Sequence, residues 1–170
     1  YAQKNTGKPA TPESVIHIDD IPHRAPQVSF GLTSFHLDAG DSPLYPFGHG
    51  LSYTTFHYSD IKVSAHEIGV GDRIAITADL TNTGTRAATE IVQLYVRDLV
   101  GNVTRPVKEL KGFQRVHLQP GETRSVSFAL HTDDLAFCNR HMQYVTEPGT
   151  FHAWIGGSSE TMLRTEFTIL

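Results

Sequence analysis

The run Ile74-Ala75-Ile76-Thr77-Ala78-Asp79-Leu80-Thr81 sets an apolar side chain at every second position, with a small or polar one between. A pleated strand sends alternate side chains to opposite faces, so this run reads as a strand with one buried face. The same period extends both ways from it. Upstream, Ile61, Val63 and Ala65 alternate with Lys62 and Ser64. Downstream come Val92, Leu94 and Val96, and then a less regular Leu110, Phe113, Val116 and Leu118, where Gly112 suits a bulge that resets the register. Val126, Phe128 and Leu130 follow, then Phe151, Ala153 and Ile155, and finally Leu163, Phe167 and Ile169. Seven strands result. Their expected core is Ile61, Val63, Ile74, Ile76, Leu80, Val92, Leu94, Val96, Phe128, Leu130, Phe151 and Ile155.

Turn residues punctuate these strands at Asn82-Thr83-Gly84, Gln119-Pro120-Gly121-Glu122, Glu147-Pro148-Gly149-Thr150 and Gly156-Gly157-Ser158-Ser159. Proline followed by glycine suits a type II turn. The single helical hint is Thr132–Cys138, with Thr132 or Asp133 as its expected cap. Short strands spaced by turns, without long helical segments, predict two packed antiparallel sheets over residues 55–170. Residues 1–54 hold six of the nine prolines and keep neither period, so they read as an extended leader, with a short strand or bulged ribbon at Val28–Leu37. At its end stands Pro43-Leu44-Tyr45-Pro46-Phe47-Gly48-His49-Gly50-Leu51-Ser52-Tyr53-Thr54-Thr55-Phe56. Tyr45, Phe47, Tyr53 and Phe56, with Gly48, His49 and Gly50 among them, carry more apolar surface than a solvated loop holds. A strap packed on a folded body is expected; an aromatic ligand-binding loop is the other reading.

This segment also resembles the one that introduces the C-terminal fibronectin type III-like domain of family three glycoside hydrolases, the β-glucosidases and their relatives. Asn82-Thr83-Gly84-Thr85-Arg86, then Glu90-Ile91-Val92-Gln93-Leu94-Tyr95-Val96-Arg97-Asp98, is similar to the second and third strands of that domain. Arg105-Pro106-Val107-Lys108-Glu109-Leu110-Lys111-Gly112-Phe113 and Leu118-Gln119-Pro120-Gly121-Glu122 continue the pattern in the same order. Asn5-Thr6-Gly7-Lys8-Pro9 is similar to the chain leaving the α/β domain of the family's periplasmic bacterial branch. The resemblance implies an all-β fibronectin type III-like sandwich behind a linker. It implies a non-catalytic accessory domain that steadies the catalytic domains of a periplasmic or secreted enzyme and borders their cleft. The parent reaction so implied is retaining hydrolysis of terminal non-reducing β-D-glucosyl residues. In that family the nucleophile is an aspartate in a Ser-Asp-Trp setting and the acid/base a glutamate, each in a domain that this chain does not resemble. Here Ser59-Asp60 is followed by Ile61, so no catalytic residue carries over.

Composition narrows the partners. A net charge of −4 without like-charge runs gives no basic footprint for nucleic acid or an anionic membrane, and no apolar stretch reaches the ~20 residues of a helical span. Cys138 is alone, which excludes an internal disulfide. The chain starts at Tyr1 without a methionine, so a targeting segment is either removed or not part of this piece. Ten histidines, among them His17, His23, His57, His66, His117, His131, His141 and His152, show no repeated two-ligand spacing, so neither a metal nor a cofactor is expected. Asp19-Asp20, Asp38 with Asp41, and Asp133-Asp134 lie in loop-like sequence suited to turns and caps. Tyr95 and Trp154 fall in the phase opposite the apolar alternation. They are candidate sugar-contacting aromatics if they face outward; cover by the leader or by the missing domains is the equal alternative. That pair supports a rival reading as a free-standing carbohydrate-binding or adhesion module. Ordering the leader costs ~1 to 2 kcal/mol per residue, more than one small sandwich offsets. Residues 10–42 are therefore expected to dock on the catalytic domains, or to pair with a second copy as a homodimer.

Overall fold

The computed structural model describes residues 18–24 and 43–170. The chain divides into two units, residues 1–46 and residues 47–170. In the first, Ile18–Asp20 forms one 3-10 turn, and Arg24 holds a left-handed φ of 64°. The expectations for Val28–Leu37 and for the docking or pairing of residues 10–42 fall almost wholly outside the described residues.

The second unit is all β. Its strands are β1 (Phe56–Val63), β2 (Glu67–Ile68), β3 (Arg73–Asn82), β4 (Ala88–Asp98), β5 (Glu109–Leu118), β6 (Thr123–His131), β7 (Phe137–Cys138), β8 (Tyr144–Val145), β9 (Gly149–Gly156) and β10 (Arg164–Ile169). The seven expected strands are β1, β3, β4, β5, β6, β9 and β10; the additional three are two-residue pairings too short to show a period. One sheet has the order β1-β3-β6, the other β2-β10-β9-β4-β5, and β7 pairs with β8. All neighbours run antiparallel except β2 and β10, which are parallel. Two sheets of mostly antiparallel strands around one core are a fibronectin type III-like sandwich.

The strand phases hold. Ile74, Ile76, Leu80, Val92, Leu94, Val96, Phe128, Leu130, Phe151 and Ile155 are buried, while Ile61 and Val63 pack against the core half-buried because β1 is an edge strand. Gly112 does sit beside a bulge: Leu94 faces Gly112 but Tyr95 faces Leu110, which leaves Lys111 as the extra residue. A Cβ on Gly112 would stand 3.0 Å from Cδ1 of Phe128, so the bare backbone makes room for that ring from the other sheet. The turn at 119–122 closes through the Glu122 amide donating to the Gln119 carbonyl at 3.0 Å, with Gly121 at φ 75°. The helical hint is one 3-10 turn, Thr132–Leu135, and its cap is one residue earlier than expected. His131 Nδ1 accepts from the Asp133 amide at 3.1 Å, and Asp134 Oδ2 accepts from the His131 amide at 3.2 Å. Thr132 is committed elsewhere: it is buried, and its hydroxyl accepts from the Gly71 amide at 2.7 Å.

Candidate functional site

β4 is buried on both faces from Val92 to Val96. The inner phase, Val92, Leu94 and Val96, meets the core; the outer phase, Gln93 and Tyr95, is covered by residues 47 and 48. Gln93 Nε2 donates to the Gly48 carbonyl at 3.0 Å and to the Gly157 carbonyl at 2.7 Å. The Tyr95 hydroxyl donates to Gln93 Oε1 at 2.5 Å, and the Ser159 amide donates to the Phe47 carbonyl at 2.8 Å. The Phe47 and Tyr95 rings meet edge to face, 6.5 Å between centroids. Gly48 has φ 79°, and a Cβ there would stand 2.0 Å from Gln93 Oε1, so a side chain is excluded by conformation and by space. Burial pushes the Tyr95 phenol up to about 12, which keeps it a donor at neutral pH.

A second anchor holds the end of this segment. Thr54 Oγ1 donates to Asn82 Oδ1 at 2.8 Å, and the Thr83 amide donates to the Thr55 carbonyl at 2.9 Å. Asn82 is fully buried yet satisfied. Its Oδ1 also accepts from the Gly84 amide at 3.1 Å, and its Nδ2 donates to the carbonyls of Arg86 at 2.7 Å and Leu118 at 3.2 Å. Between the anchors, Leu51 and Tyr53 are 93% and 92% exposed, and Phe47 is 48% exposed. Of the expected strap residues, Phe47 and Gly48 touch the sheet and Phe56 packs on the core, whereas His49, Gly50 and Tyr53 are exposed. Tyr45, in the first unit, is exposed too.

Tyr95 and Trp154 do occupy the outer phase, opposite each other on β4 and β9, but they are not exposed aromatics. They are 1% and 7% exposed, which corrects the reading that has them facing solvent. Tyr95 lies under Phe47. Trp154 lies under Lys108, whose ammonium stands 4.8 Å above the indole while donating to the Ser159 and Thr161 carbonyls at 2.7 and 2.8 Å. His152 closes the ring's side edge-on at 5.5 Å. Neither residue keeps the bare face that stacking on a sugar needs.

The described carboxylates singled out by sequence are exposed, and Asp134 serves as part of a cap. Asp60 is exposed in the β1 bulge at φ 54°, Asp133 and Asp134 are exposed in the 3-10 turn, and Asp19 and Asp20 are exposed in the first unit. Asp38 and Asp41 lie outside the described residues. Sequence reasoning passed over Glu90 and Asp98, both half-buried and both pushed above the ordinary carboxylate range mainly by desolvation. Glu90 accepts from the Tyr58 hydroxyl at 2.9 Å, which pulls it partly back. Asp98 accepts from the Val100 amide at 3.1 Å; that bond and Arg105 lower it, while Glu147 and Glu109 raise it. A signal existed for Glu90, which stands in the inner phase two residues before Val92. Among the described residues, no three His, Cys, Asp or Glu side chains are grouped to hold a metal ion.

Similarity to known proteins agrees with this geometry. The fibronectin type III-like domain family matches residues 90–159. The chain is 38% identical to the periplasmic β-glucosidase of Salmonella typhimurium over 170 residues, all of this chain and 20% of that protein. It is 41% identical to a putative β-xylosidase of Formosa agariphila over 152 residues, 89% of this chain and 20% of that one. Among solved structures, the β-glucosidase of Listeria innocua in complex with glucose superposes with a TM-score of 0.79 at 33% identity, covering 99% of this chain and 22% of that chain. The chain thus spans about a fifth of the length of these relatives. Sheet order, core pattern and these matches converge: residues 90–159 match the fibronectin type III-like domain family, and the whole chain is similar to about a fifth of the length of family three β-glucosidases and β-xylosidases.

Proposed function

We propose that this chain, a leader over residues 1–54 and a sandwich over 55–170, works within a longer glycosidase and steadies its catalytic domains. The observation that carries the reading is the segment between Phe47 and Thr55. It is fixed at both ends to the sandwich, yet it presents Leu51 and Tyr53 to solvent. Large apolar side chains held rigidly outward suit a protein surface better than water, and the ordering cost of docking is already met by the anchors. The parent reaction is retaining hydrolysis of a terminal β-linked glucosyl or related sugar, supported by β-glucosidases and β-xylosidases among the relatives. A periplasmic or secreted setting is supported by the periplasmic relative.

The test is Leu51→Ser with Tyr53→Ser, made both in the longer enzyme and in this chain. The expected outcome is faster thermal inactivation of the enzyme with an unchanged unfolding midpoint for the chain alone. Unchanged inactivation overturns the proposal. The free-standing carbohydrate-binding reading loses its support with the burial of Tyr95 and Trp154, and binding of the 170-residue chain to oligosaccharides or insoluble glucans is the result that would restore it.

A further inference from the structure

One ionisable group bridges the two sheets at the margin of the core. Glu90 stands in the inner phase of β4 and is half-buried. From the other sheet β1 sends Tyr58, whose hydroxyl donates to Glu90 Oε1 at 2.9 Å and whose ring packs against the core. The turn after β9 supplies Gly157, where a Cβ would stand 2.6 Å from Glu90 Oε1 and 3.7 Å from the Tyr58 hydroxyl. β5 sets Val116 opposite Glu90 in register. The carboxyl is thus faced by one phenol, one aliphatic side chain and bare backbone, and it makes no ion pair among the described residues. A carboxylate has about four acceptor sites, and among the described residues protein donors serve one. Ionised, the group must draw water into the margin of the core. Protonated, it is neutral and still bonds to Tyr58, as donor or as acceptor.

We propose that Tyr58 and Glu90 form a proton-operated clasp between the two sheets: the sandwich gains stability when Glu90 takes a proton from solvent, because burial costs the ionised carboxylate more than its charge-assisted bond to Tyr58 returns. The electrostatics point the same way. Desolvation raises Glu90 above 4.5 against the pull of the Tyr58 bond, and burial together with the carboxylate raises Tyr58, so the phenol keeps its proton throughout. A group whose folded-state pKa is raised adds stability that is complete below its unfolded value and is lost as pH rises through the folded one. The clasp therefore adds its full stability below 4.5 and loses it as pH rises through the higher folded-state value. Asp98, also raised, acts in the same direction, so the wild-type slope alone does not isolate the pair.

The test follows the carboxyl carbon resonance of Glu90 in the 170-residue chain, assigned by its loss in Glu90→Gln, alongside thermal midpoints from acidic to neutral pH. The expected midpoint of titration lies above 4.5, and Tyr58→Phe moves it higher still, because the donor that favours the ionised form is gone. Glu90→Gln is expected to raise the unfolding midpoint at neutral pH and to flatten its rise on acidification. A titration at or below 4.5, or a Glu90→Gln chain with the wild-type pH slope, overturns the clasp. If Glu90→Gln fails to fold, the wild-type midpoint with the direction of the Tyr58→Phe shift decides.

Discussion

Phe128 shows how one residue ties the sheets together. It is 6% exposed on β6, pairs with Ile76 on its own sheet, and reaches Gly112 in the other. Truncation leaves a cavity that two sheets hydrogen-bonded along their lengths cannot close. Phe128→Ala is expected to cost ~3 to 5 kcal/mol in denaturant unfolding. The opposite error is available at Gly112, where an added methyl at 3.0 Å from the ring must shift it; Gly112→Ala is expected to cost ~1 to 3 kcal/mol in the same assay. Both positions are legible from sequence, because alternation along a strand is local and a glycine in an apolar run marks a bulge or a close approach. Tyr95 and Trp154 are not legible in that way. Their outward phase is visible, but their covers arrive from residues 47 and 108, and nothing in the spacing of β4 or β9 encodes so distant a contact. The His131 cap was missed for a related reason: its imidazole substitutes for the usual hydroxyl or carboxylate acceptor, while Thr132 is drawn away by Gly71.

At the scale of elements, the segment from Phe47 to Thr55 has no repeating backbone pattern and yet is fixed. Its order comes from polar groups on β4 and from the buried Asn82. That dependence is testable at Gly48, whose φ and close approach to Gln93 both exclude a side chain. Gly48→Ala is expected to break the bond between the Ser159 amide and the Phe47 carbonyl. Hydrogen exchange at Ser159 should then accelerate while amides in β3 and β6 keep their protection. Unchanged exchange at Ser159 would mean that the segment is held by something other than these bonds. Sequence indicated that this stretch packs on a body, since its aromatics were too many for a solvated loop. It did not indicate that Leu51 and Tyr53 remain outside, because a count of aromatics carries no direction.

For the whole molecule, the expectation is chemical silence. The 170-residue chain should not turn over aryl β-glucosides above background, since binding without a positioned acid and nucleophile lowers no barrier. Purified chain that hydrolyses such a substrate, and loses that activity on substitution of Asp60, Asp133 or Asp134, would contradict this. The fold was readable at this scale because seven alternating runs and their turns leave few architectures open. The pairing of β2 with β10 was not readable, because two residues are too few to carry a period.

That pairing bears on how the protein is made. In the sheet ordered β2-β10-β9-β4-β5, the strand furthest along the chain is an interior strand, with β2 on one side and β9 on the other. As the polypeptide leaves the ribosome, β1, β3 and β6 are all available once His131 has emerged, so one wall of the sandwich can assemble early. The other wall has a gap until Ile169 clears the exit tunnel, and until then the core positions of Phe167 and Ile169 stand empty and two strand edges stay bare. Closure of this wall therefore waits for the last strand of the sandwich and depends on contacts between residues far apart in the chain.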